Sequence, residues 1–288
     1  MGALLVALVL SLPVTAQDFS GVRVEKISGG YAFTEGPVWS RDGYLLFSDV
    51  PNNKIIRFEP GEGTAVFREN SDGANGNTFD ARGRLYTCES RTRRVTRTGK
   101  DGKIEVLAEK WQGKRLNAPN DIVVRKDGHV YFTDPAFGQQ GDTRELDFFG
   151  VYHISPKGEM EVVAKPAGRP NGIALSPDGK VLYVANSDDR NLRAYDVDRN
   201  GKAANEHVVV SRIDGVPDGI KVDERGNIYV TARGVAVYSP GGKLLTTLEF
   251  TETPANCAFG DADFQTLYVT GRTSLYRVRL TVKGAVQY

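Results

Sequence analysis

Cysteine is nearly absent from this sequence: Cys88 and Cys257 are the two among 288 residues. That scarcity excludes a disulfide framework and a Cys-rich zinc site. Neither sign of charge is in excess, with 37 Lys+Arg against 36 Asp+Glu and a formal net charge of +1. A nucleic-acid binder carries a large positive excess, so no nucleic-acid partner is expected. Histidine is scarce as well. His129, His153 and His207 are too few and too scattered for a zinc triad, and read as structural or solvent-facing. Beyond the N-terminus no apolar run approaches the roughly 20 residues of a membrane span, so no membrane partner is expected. No Gly-x-Ser-x-Gly elbow is present, which counts against a serine esterase. What the chain does have is turn and strand formers: Gly 32, Pro 13, Tyr 12 and Phe 13, with 40% hydrophobic residues. That is enough for a packed core and suggests a turn-rich β protein.

Residues 1–16, MGALLVALVLSLPVTA, resemble a secretory signal peptide, with an apolar stretch and small residues near a plausible cleavage point. The segment lacks Lys and Arg in its n-region, and an uncleaved anchor is the alternative. The expectation is a mature chain of residues 17–288, a single domain, secreted or periplasmic, and a monomer or weak oligomer. Export permits a Cys88–Cys257 disulfide. The two fall in non-neighbouring repeats, so two separate buried thiols are expected.

The remainder is one motif written six times, beginning at Glu35, Asn75, Asn120, Asn171, Asp218 and Asn256. The starts are 40, 45, 51, 47 and 38 residues apart by subtraction. Seven residues on stand Asp42, Arg82, Asp127, Asp178, Arg225 and Asp263, and in the first five repeats Gly follows at once as a turn signal. A β-branched and aromatic run follows each turn, such as Val130-Tyr131-Phe132 or Leu267-Tyr268-Val269. Third and fourth strands follow in most repeats. Periods of about 40–50 residues with this pattern predict an all-β, six-bladed β-propeller of four-stranded antiparallel blades. The stretch 17–34 is expected to supply the strand that closes the last blade and removes its free edge.

Every repeat start is an acid or an amide. Innermost strands of a propeller surround its channel, so equivalent positions form a ring of side-chain oxygens. Such a ring suits a hard cation, which takes about 6–8 oxygen ligands. Calcium is the first choice, with zinc, manganese or magnesium as alternatives. Asn-Gly and Asp-Gly are also hairpin-turn signals, but a turn already sits seven residues further on. Metal or substrate contact is therefore expected at Glu35, Asn171 and Asp218, then at Asn120 and Asn75, and least at Asn256.

Glu35-Gly36-Pro37-Val38-Trp39, the run Arg115 to Asp121, Pro170-Asn171-Gly172-Ile173-Ala174 and Pro217-Asp218-Gly219 carry a resemblance. Together, over nearly the whole mature chain, they resemble the gluconolactonase, regucalcin (senescence marker protein) and luciferin-regenerating enzyme family, most of all its bacterial gluconolactonase branch. The resemblance implies a propeller with a divalent metal in the channel mouth and hydrolysis of a small-molecule sugar lactone. It implies metal ligation by Glu35, Asn171 and Asp218, proton transfer by Asp218, and substrate contact by Asn120. Two departures stand out. Regucalcin-like members have an Arg where Ala118 stands, with Arg115 as a displaced substitute, and a family Glu falls near Gly138. Asn75 and Arg115 complete the expected substrate-binding set, and the sugar specificity is not carried over.

Three functions compete at this level: lactone hydrolysis through metal-activated water with Asp218 as proton donor and acceptor, calcium-dependent phosphotriester hydrolysis, and a non-enzymatic metal-binding propeller. The insertion 137–149, FGQQGDTRELDFF, is read as a lid or a surface loop, and Phe137, Phe148 and Phe149 are its candidates for an apolar pocket wall.

Overall fold

Each of the six predicted turns closes as a turn. In the first five repeats the glycine amide donates to the carbonyl three residues back, as in Gly43 to Ser40 (3.0 Å) and Gly226 to Asp223 (2.9 Å). In the sixth, Phe264 donates to Asp261 (3.1 Å). The side chain five residues after the repeat start often braces the hairpin. Asp223 Oδ1 accepts from the amides of Arg225 and Asn227, both at 2.9 Å. The buried strand tyrosine then reaches back to the same acid: Tyr86 to Asp80 (3.2 Å), Tyr229 to Asp223 (3.3 Å) and Tyr268 to Asp261 (2.6 Å). A buried phenol needs such a partner, so the recurring Tyr serves both core and turn.

The computed structural model describes residues 19–286, and the leader-like segment 1–16 lies outside the described residues. Six four-stranded antiparallel sheets form the blades of a β-propeller. Blade 1 holds Thr34–Ser40, Tyr44–Asp49, Lys54–Glu59 and Gly63–Glu69. Blade 2 runs from Ala74–Phe79 to Ile104–Ala108, and blade 3 from Ile122–Val124 to Met160–Ala164. Blade 4 runs from Pro170–Leu175 to Ala203–Val210, and blade 5 from Ile220–Val222 to Leu244–Leu248. Burial falls from the axis outward: Thr34–Ser40 is buried throughout, while Gly63–Glu69 is almost wholly exposed. Side chains interdigitate between neighbouring blades, as where Trp39 of blade 1 stacks on Tyr268 of blade 6 (centroids 5.5 Å apart, planes at 7°).

Blade 6 is made from both ends of the chain. Pro254–Gly260, Thr266–Gly271 and Ser274–Arg279 are joined by Val24–Gly29, which pairs antiparallel with Ser274–Arg279. The closing strand expected from the sequence is therefore present, and it stands as the outermost strand of this blade, covering the edge of Ser274–Arg279. Two features were not foreseen: a short hairpin of Lys110–Trp111 and Lys114–Arg115, and a 3-10 turn, Gly138–Thr143, inside the insertion. Cys88 and Cys257 are separate, buried thiols, and burial pushes the Cys257 pKa up to about 12. His129 and His153 are buried against each other (Nδ1 to Nε2, 2.7 Å), and His207 is exposed.

Glu252 fastens the blade 6 hairpin. It accepts from the Thr273 amide (2.7 Å) and hydroxyl (3.0 Å), from Tyr276 (3.0 Å) and from Ser274. Burial alone would push its pKa up, but these hydrogen bonds outweigh it and hold the carboxyl down at about 2, against an ordinary 4.5. A depressed folded-state pKa adds stability above the unfolded value that is lost as pH falls through the folded one. Glu252→Gln is therefore expected to destabilise the chain at pH 7, with the gap to the parent closing between about pH 4.5 and 2. Urea midpoints across that range check it.

Candidate active site

The blades hand the chain from one to the next through a repeated bond. In the first five blades a hydroxyl at or just after the second strand donates to a carbonyl where the chain enters the next blade, whereas Thr270 of blade 6 donates to Asn256 O of its own blade (3.2 Å). Ser48 donates to Asn75 O (2.8 Å), Ser90 to Pro119 O (2.6 Å) and Thr133 to Asn171 O (2.7 Å). Ser187 donates to Pro217 O (2.8 Å) and Thr231 to Ala255 O (2.7 Å). Backbone bonds add to this: Gly76 N to Asn120 O (2.7 Å), Gly172 N to Asp218 O (2.9 Å) and Gly219 N to Ala255 O (2.9 Å). These contacts fix the height of each repeat start, so the ring of acids and amides follows from the strand pattern.

At one end of the channel lies a cavity of about 400 Å³. Glu35, Asn75, Asn120, Asn171 and Asp218 all line it, so five of the six repeat starts share one chamber. Glu35 and Asn171 lie near enough to Asp218 to act on its ionisation, the Glu35 charge opposing it and the Asn171 amide favouring it. The Asn171 Nδ2 also donates to Ser187 Oγ (3.1 Å), so Oδ1 is the Asn171 atom left for a ligand. Glu35 Oε2 accepts from the Gly36 amide (2.8 Å) and from Asn256 Nδ2 (3.1 Å). Desolvation pushes both carboxyl pKa values upward, and each acid lies in the field of the buried Asp121. For Asp218 the charge of Glu35 adds to the rise.

Two carboxylates and an amide side chain lining one chamber form a donor set that suits a hard divalent cation, which would offset the carboxylates' repulsion. Asn75 supplies a second sign of a ligand site, because its buried Oδ1 has no hydrogen-bond partner among the described residues. The Asn120 amide likewise has no side-chain partner among the described residues, and its backbone is held through Thr133 O (2.8 Å). Metal, water or substrate oxygens are what these groups can take.

One expectation meets a different placement, and the repeat start least expected at the site is off it. Arg115 is not brought to the cavity. It is exposed on the Lys110–Trp111/Lys114–Arg115 hairpin, where its amide donates to Glu145 (2.8 Å). The chain becomes buried only from Leu116 onward, so Arg115 stays at the surface and off the cavity lining. Asn256, the sixth repeat start, does not line the cavity. It is 2% exposed and its amide bridges Glu35 Oε2 and Asp121 Oδ2 (3.4 Å). It therefore acts beneath Glu35 and sets that carboxylate's orientation.

Other residues escaped the sequence reading. Asp121 is fully buried on the axis, and Ser187 accepts from Asn171. Asp134 is buried and holds the amides of Asn117 and Ala118, both at 2.8 Å, which sets the approach to Asn120. Burial pushes the Asp134 pKa up to about 7 against the pull of those two amides. The available signal was positional: Ser48, Thr133 and Thr231 recur near the end of the second strand. Of the insertion's aromatics, Phe137 lines the cavity with Gly138. Phe148 instead packs beside Tyr152 and under Lys165, and Phe149 under Arg144.

A family model described as SMP-30/Gluconolactonase/LRE-like region matches residues 33–273. The chain belongs to this family. Among SMP-30/gluconolactonase relatives, a gluconolactonase of Zymomonas mobilis is 32% identical, over 91% of this chain and 82% of that protein. A solved structure of a Xanthomonas campestris gluconolactonase is 32% identical with a TM-score of 0.84, covering 91% of this chain and 90% of that one. A calcium-binding regucalcin from Agrobacterium tumefaciens superposes with a TM-score of 0.79 at 18% identity, covering 91% and 95% of the two chains. At that identity the likeness shows the shared propeller alone.

Proposed function

We propose that this member of the SMP-30/gluconolactonase family hydrolyses a lactone with a divalent cation, calcium first, held by Glu35, Asn171 and Asp218. The observation that carries the proposal is the convergence of Glu35, Asn171 and Asp218 on the lining of one cavity. The gluconolactonases at 32% identity support the reaction class. When bound, a divalent cation supplies Lewis-acid polarisation of a carbonyl and a lower pKa for nearby water. The chain's own residues supply the rest. Asn75 and Asn120 hydrogen-bond the substrate and set its orientation. Asp218 accepts the proton of the attacking water as the new carbon–oxygen bond forms. It then returns a proton to the ring oxygen as the acyl–oxygen bond breaks, giving a hydroxy acid. Asn256 and the Gly36 amide hold one oxygen of Glu35, which leaves the other facing the cavity.

Export of the mature chain belongs to the same proposal, supported by the leader-like residues 1–16. The test is a lactone panel run on chain 17–288 before and after chelation. Hydrolysis that vanishes with chelator and returns with calcium is the expected result. Lactone turnover that is indifferent to chelation would remove the cation from the proposal, and no turnover above background would remove the reaction.

A further inference from the structure

We infer that the cavity selects a neutral lactone carrying an apolar substituent, which lies along a wall of Phe33, Val50, Phe137 and Val216. This rests on the lactonase reading above and names the substrate class of the same site. The polar groups of the cavity are the repeat starts and the hydroxyls of Ser90 and Ser187. Both hydroxyls already donate to carbonyls, to Pro119 and Pro217. The rest of the described lining is apolar or glycine: Phe33, Val50, Ala118, Phe137, Gly138 and Val216. No Lys or Arg is among the described lining residues, so an anionic substituent on the apolar wall finds no basic side chain, and the charge of the proposed cation is already matched by Glu35 and Asp218.

The wall is built to stay in place. The Phe33 amide donates to Asp49 Oδ1 (3.2 Å), and the Val50 amide donates to Phe33 O (3.0 Å). Arg169 lies over the Phe137 ring (4.6 Å) and is itself paired with Asp188 through Nη2 (2.6 Å) and Nε (3.1 Å). Arg93, 5% exposed, reaches from blade 2 to the Thr143 carbonyl (3.0 Å) and ties down the 3-10 turn behind Phe137. Val216 is 53% exposed and stands two residues before Asp218 at the cavity. A substituent over it would remove that surface from water.

The chemistry favours alkyl over polyol. A sugar hydroxyl pressed on this wall loses its water without gaining a partner, whereas an alkyl group gains with each methylene buried. About 0.8 kcal/mol per buried methylene corresponds to about a fourfold change.

The experiment measures kcat/KM with calcium for δ-valerolactone and its 6-alkyl homologues of increasing chain length, beside glucono-δ-lactone and a carboxylated lactone. The expected result is a rise of about two- to fourfold per methylene over the first few carbons, with the anionic lactone poorest. Phe137→Ala and Val216→Ser should each flatten the chain-length slope. Turnover of glucono-δ-lactone with no rise along the alkyl series would overturn the inference and leave the lactonase reading standing. If no lactone is turned over, that reading falls, and the wall is tested by calorimetry with non-hydrolysable 2-alkyltetrahydropyrans. Affinity that climbs with chain length, and less steeply in the two variants, supports the wall; flat affinity overturns it.

Discussion

Asp218→Asn is expected to lower kcat/KM for lactone hydrolysis by about 10²–10⁴-fold at saturating calcium. Asn has nearly the shape of Asp and keeps an oxygen for a cation. It cannot take a proton from water and return it to a ring oxygen. The loss therefore falls on kcat once metal is saturating, and calorimetric calcium titration keeps weakened binding separate from lost chemistry. The same change should act in the opposite direction on the metal-free fold. Desolvation and the Glu35 charge both disfavour an ionised Asp218. Neutralising it relieves that repulsion, so the chelated variant should unfold at higher urea than the chelated parent. Full activity in a calcium-bound Asp218→Asn protein would end the proton-transfer role. A lower urea midpoint without metal would contradict the electrostatic account.

Gly36→Ala should cost about 2–5 kcal/mol of stability and most of the activity. Gly36 sits at φ +51, and an added Cβ would lie 1.9 Å from Asn75 O and 2.8 Å from the Gly76 Cα. The obstacle is the backbone of blade 2, which cannot swing aside as a flexible side chain would. Blade 1 would have to move away from blade 2, and Glu35, bonded to the Gly36 amide, would move with it. Gly43 separates the two causes, because its φ is +92 but nothing lies within 4 Å of an added Cβ. Gly43→Ala should therefore show only the conformational penalty, about 1 kcal/mol, with activity kept. Equal urea midpoints for the two variants would refute the steric argument.

The propeller was legible because its evidence is repeated. Turn, strand and repeat start recur in register six times, and each repeat is an independent reading of the same geometry. Register also tells which residues share a ring, and so it led to Glu35, Asn75, Asn120, Asn171 and Asp218. It does not tell where a side chain points. Asn256 occupies the same register as Asn171, yet its amide turns to Glu35 and Asp121. That choice depends on which carboxylates neighbouring blades bring close. Arg115 was misplaced for a related reason. It precedes the repeat, where the path is set by a hairpin and by Asp134 across the blade rather than by period. The insertion's aromatics divide the same way: Phe137 follows a strand end and faces the cavity, whereas Phe148 and Phe149 are set by packing against Tyr152 and Arg144.

Blade 6 takes Val24–Gly29 from one end of the chain and Ser274–Arg279 from the other. A nascent chain on the ribosome cannot complete that pairing until almost all of it has emerged. Circular closure is thus the most non-local event in the fold, and its loop-closure entropy is met late. Blades formed earlier must wait with one flank open, so premature termination anywhere before Ser274 would yield an unclosed arc rather than a smaller enzyme.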